Sequence, residues 1–495
     1  MSAKPQFESY RYIGEICRLK AQSIVECRLA GSEISSILAV SAKAIPAECV
    51  CADGEVRYGG KALICIVYED GERKVCRAER GAEFFHKAEG NSVSPSCFAK
   101  GEYTVENISW RREGSGLYIS VLIGAELAVF GGKQVEYLLG GEGLVCKQGS
   151  LSLCKSVCVS GEIEGEDEFD CDYIGDVLLH TASAVVNHVS ANAGQVDIEG
   201  EIALSVCVLR ADESICTYER LTPFRMQVPA DEAYGSVTAG ARVRVKDAHF
   251  TAHADEESGK SRVVFSYGLS ADCFLYIQEE IAVVEDAFST TEEICLKREK
   301  DGGRYLTKHS RATERVSGIA SLSPAVEGEY TLQAALLPHA EITCRKTDSG
   351  MEAEGAVLAK VLLKNAEGGY KSAELSLPVV FPVEAAGEFV EAECLVCGLN
   401  VRRKKNGEVE ADATLKLSLN AYKEKEWSYI HGVETGEEYG ENDCAFSVFL
   451  PVEGEGLWQA AKRLRCTPET LAKNNPNLDF PLKEGQRIFV YRQIK

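Results

Sequence analysis

The sequence predicts a mainly β chain, built from three antiparallel β-modules followed by one small β-α-α-β unit. Three observations lead there. Three segments share a layout in which a glycine is followed nineteen positions later by a glutamate. After each of those glycines apolar residues alternate with period two. Helical periodicity is confined to the end of the chain.

The shared segments run from Gly54 to Phe85, Gly194 to Phe224 and Gly350 to Phe381, with the pairs Gly60/Glu79, Gly200/Glu219 and Gly355/Glu374. Positions two, four, six and eight after the glycine are Ala62, Ile64, Ile66, Tyr68, then Ile202, Leu204, Val206, Val208, then Val357, Ala359, Val361, Leu363. Successive strand side chains point to opposite faces, so this pattern marks a strand with one buried face. The positions between are mixed (Cys65, Ser205, Cys207, Lys360), which predicts a second face only partly covered.

A further apolar strand precedes the first two glycines, at Ile37 to Ala44 and Val177 to Ala184. A strand, a turn and a second strand follow each core, with turns at Gly114-Ser115-Gly116, Glu257-Ser258-Gly259 and Asn406-Gly407. The expectation is a string of three modules, at 1–150, 151–290 and 291–441, with a remainder at 442–495.

In the remainder, Leu457, Trp458, Ala461 and Leu464 fall at helical spacing. Thr467-Pro468-Glu469 supplies an N-cap, a proline at the first helical position and an acid near the positive helix end. Asn474-Asn475-Pro476 stops that second helix. Strands at Phe446 to Val452 and Gln486 to Tyr491 complete the unit, and Trp458 is expected in its core, against those strands.

Composition excludes several classes of function. Fifty-four Lys and Arg stand against 76 Asp and Glu, a formal net charge of −22. On so acidic a chain counterion release cannot be the main source of affinity, so no nucleic-acid partner is expected. Twenty cysteines in 495 residues are too sparse for a disulfide scaffold. The opening residues carry Glu8, Arg11 and Glu15 where a secretory signal needs an apolar run, which predicts a cytosolic chain with reduced thiols. The longest apolar stretches, such as Ala62 to Tyr68, are far short of the roughly 18 residues of a membrane span, so no membrane insertion is expected.

Reactive constellations are scarce, and no enzyme and no cofactor is expected. Gly59-Gly60-Lys61 and Gly131-Gly132-Lys133 lack parts of a phosphate-binding loop, and no Gly-x-Ser-x-Gly or His-Glu-x-x-His occurs. Cys394 and Cys397 read as half a zinc site, a redox pair or strand core; the flanking residues favour strand. Cys49 and Cys51 read as inward strand positions. His249 and His253 with Asp255 lie too far apart along a strand to share a metal. The acidic run Gly161 to Asp170 reads as a solvated linker, and Arg402 to Lys405 as an exposed turn edge.

Two resemblances add to this reading. Over Phe446 to Tyr491 the Leu-Trp-x-x-Ala-Lys-Arg helix, the Thr-x-x-x-Leu helix, the Asn-Asn-Pro stop and the Gly-Gln-x-Ile strand resemble a LysM domain, with Gly454-Glu455-Gly456-Leu457 standing where that family usually has Gly-Asp-Thr-Leu. The apolar strand ending at Ser-Ala-Lys-Ala, the Gly-x-Val-x-x-x-Gly step and the acidic turn within Ile37 to Gly71 resemble the SPOCS domain of endospore-forming Firmicutes. The combination is similar to spore-envelope (spore coat) morphogenetic proteins. That resemblance implies a non-enzymatic scaffold or adaptor, in the mother-cell cytoplasm at the forespore surface. Its LysM domain is implied to dock to a coat-scaffold ATPase of the stage IV sporulation protein A type. The alternative is a peptidoglycan-binding LysM protein at a cell or spore surface. For either ligand the candidate groove is formed by Glu455 and Gly456 in the first loop with Asn475, Pro476, Asp479 and Phe480 in the second. Exposed strand edges offer a route to self-association.

Overall fold

A computed structural model describes residues 3–491 apart from 30–33, 115, 173, 211, 256–258, 327, 349, 405–407, 441–444, 451 and 484–485. The chain is mainly β and its sheets are antiparallel. The first group of strands is β1 (Lys4–Leu29), β2 (Ile34–Pro46), β3 (Val50–Ala52), β4 (Glu55–Asp70), β5 (Val75–Glu89), β6 (Phe98–Glu113) and β7 (Gly116–Glu142). In one sheet β4 pairs with β2, β3 and β5; the other has the order β1-β7-β6. The second group is β8 (Val145–Asp172), β9 (Ile174–Asn192), β10 (Gln195–Arg210), β11 (Ile215–Pro229), β12 (Thr238–Asp255) and β13 (Lys260–Phe288), with sheets β9-β10-β11 and β8-β13-β12. The third is β14 (Glu292–Ser323), β15 (Tyr330–Thr347), β16 (Gly350–Asn365), β17 (Tyr370–Val383), β18 (Phe389–Arg403) and β19 (Val409–Glu438). Here β15-β16-β17 and β14-β19-β18 are joined along one edge by Ser321–Ser323 of β14.

Each pair of sheets closes on its own apolar core, making three sandwiches. All twelve alternating residues named above are buried in these cores. The shared glycines lie on β4, β10 and β16, where the neighbouring strand passes very close. A Cβ on Gly60, Gly200 or Gly355 would lie 2.2, 2.3 or 1.8 Å from the carbonyl oxygen of Ile45, Val185 or Glu341. Only a residue without Cβ fits such an approach.

The second face of the same strands is covered too, but by the neighbouring sandwiches. Seven positions after each glycine stand Val67, Cys207 and Leu362, and these meet with Leu38, Leu179 and Leu336 in one shared hub. The contacts run in a cycle: β5 with β9, β11 with β15, β17 with β2. At equivalent positions Arg77 donates to the carbonyl of Val177 (3.2 Å), Thr217 to that of Ala335 (3.5 Å) and Ser372 to that of Ile37 (3.4 Å). The expected string is therefore a closed ring.

A second layer of the ring is ionic. Glu102, Arg242 and Glu393 each stand four residues after the start of β6, β12 and β18. Arg242 lies 2.7 Å from Glu102, 2.6 Å from Glu391 and 3.9 Å from Glu393, and Glu391 also receives Arg18 (2.7 Å) and Arg304 (3.0 Å). Burial opposes the Glu391 carboxylate, but the three arginines outweigh it and hold it below the ordinary range. Glu393 gets the opposite outcome: burial first, then the Glu102 charge, push it up to about 7 against Arg242 and Arg244.

The six longest strands, of 26 to 32 residues, outrun the sandwiches. Their far halves pair only with one another, as ribbons β1/β7, β8/β13 and β14/β19. The ribbons pack together through Tyr12, Val135, Tyr137, Leu153, Val283, Trp427 and Tyr429, then through Leu138, Val284 and Ile430. Position 150 falls inside β8, and the acidic run Gly161 to Asp170 is strand as well: its odd positions turn inward while Glu162, Glu164, Glu166 and Glu168 face solvent. The linker reading fails because the inward residues are glycines, one acid and only two large apolar groups, Ile163 and Phe169, which hid a period of two. Ser115, Glu257, Ser258, Asn406 and Gly407 of the expected turns lie outside the described residues.

Candidate functional site

The C-terminal unit consists of β20 (Phe446–Phe449), α1 (Leu457–Leu464), α2 (Pro468–Asn474) and β21 (Ile488–Tyr491), with β20 and β21 antiparallel. Local chemistry sets both helices. Gly456 is the N-cap of α1, and Arg465, in the left-handed region at φ 54°, ends it. Thr467 Oγ1 accepts from the Thr470 amide at 3.2 Å with Pro468 in the first turn of α2. Ala460, Ala461, Leu464, Leu471, Leu482, Ile488 and Val490 form the core.

Trp458 packs half-buried against that core and also reaches beyond the unit. Its ring sits edge-on to Phe288 at the end of β13, centroids 5.2 Å apart, and its Nε1 donates to Asp286 at 2.8 Å. Lys462, one turn on, reaches both oxygens of the same carboxylate at 2.7 and 2.9 Å. Burial works against the Asp286 charge, but the bonds from Lys462 and Trp458 outweigh it and hold the carboxyl below its ordinary range. The helix face at Trp458 is thus a latch onto the second ribbon.

The first loop is bonded to Leu482, which follows the residues named in the second loop: the Gly454 amide donates to the Leu482 carbonyl and the Leu482 amide to that of Glu455, both at 2.9 Å. Their side chains have different roles. Glu455 makes a two-pronged pair with Arg463 (2.8 Å each), and those bonds hold its carboxyl below the usual range. Asn475 is buried; it donates to the carbonyls of Leu471 (2.9 Å) and Phe489 (2.8 Å) and accepts from the Phe489 amide (2.7 Å). The side chain of Asn475 thereby acts as a strand neighbour for β21. Phe480 is half-buried on the core, while Pro476 and Asp479 are exposed.

The face of the β20–β21 sheet turned away from the helices carries Phe446, Val448, Phe489 and Tyr491, all exposed. Phe446 stacks on Phe489 with centroids 5.9 Å apart and lies 5.0 Å from Tyr491. Sequence reasoning passed over this face, although its signal was the same period of two: alternate residues of both strands are apolar in a unit with helices on one side only.

The remaining candidates lie in strands. Cys394 and Cys397 are part-buried on β18, and burial pushes their thiols up to about 12 and about 11, which disfavours the thiolate. Cys49 and Cys51 pack partly against the first sandwich core. His249 and His253 are exposed on β12, and Arg402 and Arg403 are at the end of β18; Lys405 lies outside the described residues. Among the described residues no group of His, Cys, Asp and Glu has the arrangement of a metal site, and no helix is long and apolar enough to cross a membrane. Comparison with protein-family models, curated proteins and solved structures returned no significant match.

Proposed function

We propose that this chain is a non-enzymatic scaffold or adaptor of spore-envelope assembly. In this reading the three sandwiches are copies of one SPOCS-like module, and the C-terminal unit is LysM-like and docks to a coat-scaffold ATPase in the mother-cell cytoplasm at the forespore surface. The observation that carries the docking half is the exposed sheet face of Phe446, Val448, Phe489 and Tyr491, an apolar aromatic cluster of the kind that protein partners cover. A sugar groove fits less well, because Asn475 and Glu455 already use their polar groups inside the unit. The inward faces of the sandwiches are taken up by the ring, so self-association is left to outer strand edges.

The test is capture of the purified ATPase by the full chain, with F446S/F489S as the variant. Capture by the parent chain and at least a tenfold loss in the variant supports the reading. No capture, together with retention on purified peptidoglycan that the variant keeps, would replace it by the glycan reading.

A further inference from the structure

The shared spacing of the three segments places a glutamate at each junction of the ring: Glu79, Glu219 and Glu374, directly across the strand pair from Cys65, Ser205 and Lys360. Two of the three have a cation of their own. Arg77, two residues before Glu79, ion-pairs with it. Lys360 pairs with Glu374 at 2.9 Å from the facing strand. At the junction of the second and third sandwiches both of those positions hold small hydroxyl residues, Thr217 and Ser205. Glu219 has no ion pair among the described residues; one oxygen accepts the Gly398 amide at 2.7 Å. Desolvation against the third sandwich raises its carboxyl above the ordinary range, opposed only by that amide.

Beside Ser205, which stands where the third sandwich has Lys360, lies a cavity of about 230 Å3. Glu219 stands at its exposed mouth, the hydroxyl residues Thr181, Ser183 and Ser205 line it, and Leu221 and Leu395 are among its apolar walls. Arg220 borders it too, but its guanidinium is held by Asp167 at 3.0 Å. The nearby Lys416 is held by Glu201 at 2.7 Å. A carboxylate beside hydroxyls matches the three donors of an ammonium group, and the apolar walls match a short alkyl stem.

We propose that this cavity is a binding site for a primary alkylammonium group, held by Glu219 in the place that Lys360 fills beside Glu374. The group comes from a free small amine or from a lysine side chain of a partner; the chemistry recognised is the same. The site is independent of the proposed docking function, since it lies in the ring and not in the C-terminal unit.

The experiment is thermal unfolding of the full chain at constant ionic strength with n-butylammonium chloride, and with tetramethylammonium chloride as a cation that cannot donate a hydrogen bond. Saturating butylammonium is expected to raise Tm by about 1–3 °C and tetramethylammonium to leave it unchanged. S205K, which rebuilds the Lys360–Glu374 arrangement, should raise Tm without amine and abolish the response, and E219Q should abolish it too. A lysine-containing peptide that acts at lower concentration than butylammonium assigns the site to a partner's lysine; a response to the free amine alone assigns it to a small molecule. Equal effects of the two cations on the parent chain, or an undiminished butylammonium response in S205K, would overturn the proposal. The S205K result stands even if E219Q fails to fold.

Discussion

Replacing Glu393 by glutamine should stabilise the ring at pH 8, although it removes a carboxylate that faces an arginine. Arg242 is already engaged by Glu102 and Glu391 at 2.7 and 2.6 Å, and Glu393, 3.9 Å away, adds a third negative charge to one buried cation. Between the ordinary value of 4.5 and about 7 lie roughly two and a half pH units, worth about 1.4 kcal/mol each. Its side chain keeps 30% of its exposure, so solvent returns part of that, and an effect of about 1–3 kcal/mol is expected. The sign follows from linkage. A carboxyl whose folded value is raised contributes stability that is full below about pH 4.5 and is lost as pH rises through about 7. The neighbour Glu391, held low, does the reverse and loses its contribution only at more acid pH. His180 and His309, whose values are lowered by burial, add their own pH dependence, which cancels between parent and variant. Urea unfolding of the full chain and E393Q at pH 8 and pH 5 is the assay. The variant should be the more stable at pH 8, with the gap closing by pH 5. A variant less stable at pH 8, or a gap that does not change with pH, would refute the account of the ionic layer.

Other perturbations probe other layers. Gly200→Ala puts a Cβ 2.3 Å from the Val185 carbonyl and within 2.4 Å of the Phe224 ring, so a loss of about 2–4 kcal/mol is expected in the same unfolding assay. Asp286→Ala releases the Trp458 and Lys462 latch; amide exchange in α1 and limited proteolysis between β19 and α1 should both speed up, while exchange in the sandwich cores stays as it was. Asn475→Ala leaves buried backbone groups of Leu471 and Phe489 without partners, at a cost of about 2–4 kcal/mol to the C-terminal unit, seen as loss of exchange protection over β21. With a thiol reagent at pH 8, mass spectrometry should find Cys295, the exposed one, labelled first among the described cysteines.

Strands with a full apolar alternation were legible from the sequence, and so were both helices of the C-terminal unit, whose stop and start residues act locally. Two things were not. The ribbons mix aromatic, charged and glycine positions, since their interior is shared among three ribbons and no single strand needs a continuous apolar face. The ring was hidden because Val67, Cys207 and Leu362 fall on the face that reads as mixed; nothing in one segment says that its half-covered side meets the other two. In the candidate groove, the identity of Asn475 was visible but its use was not. A side chain that fills a backbone's hydrogen bonds and one that reaches for a ligand look alike until the partner strand is in place.

Building a three-part ring from one chain, instead of from three identical chains, permits each junction to differ. The aromatic residues Phe130, Tyr276 and Tyr422 occupy matching places, each opposite the first residue of the strand beside it. Ten residues beyond them stand Gly140, Asp286 and Gly432. Only the second ribbon therefore offers a carboxylate to Trp458 and Lys462, and the C-terminal unit has one seat in place of three equivalent ones. The same freedom gives Arg242 the basic position between Glu102 and Glu393, and leaves Glu219 as the one of the three junction glutamates that has no built-in cation among the described residues. A symmetric trimer of one sequence could not do this, because an arginine at that position would meet two others across the axis. With one chain in place of three, that repulsion is avoided and the C-terminal unit has a single defined orientation on the second ribbon.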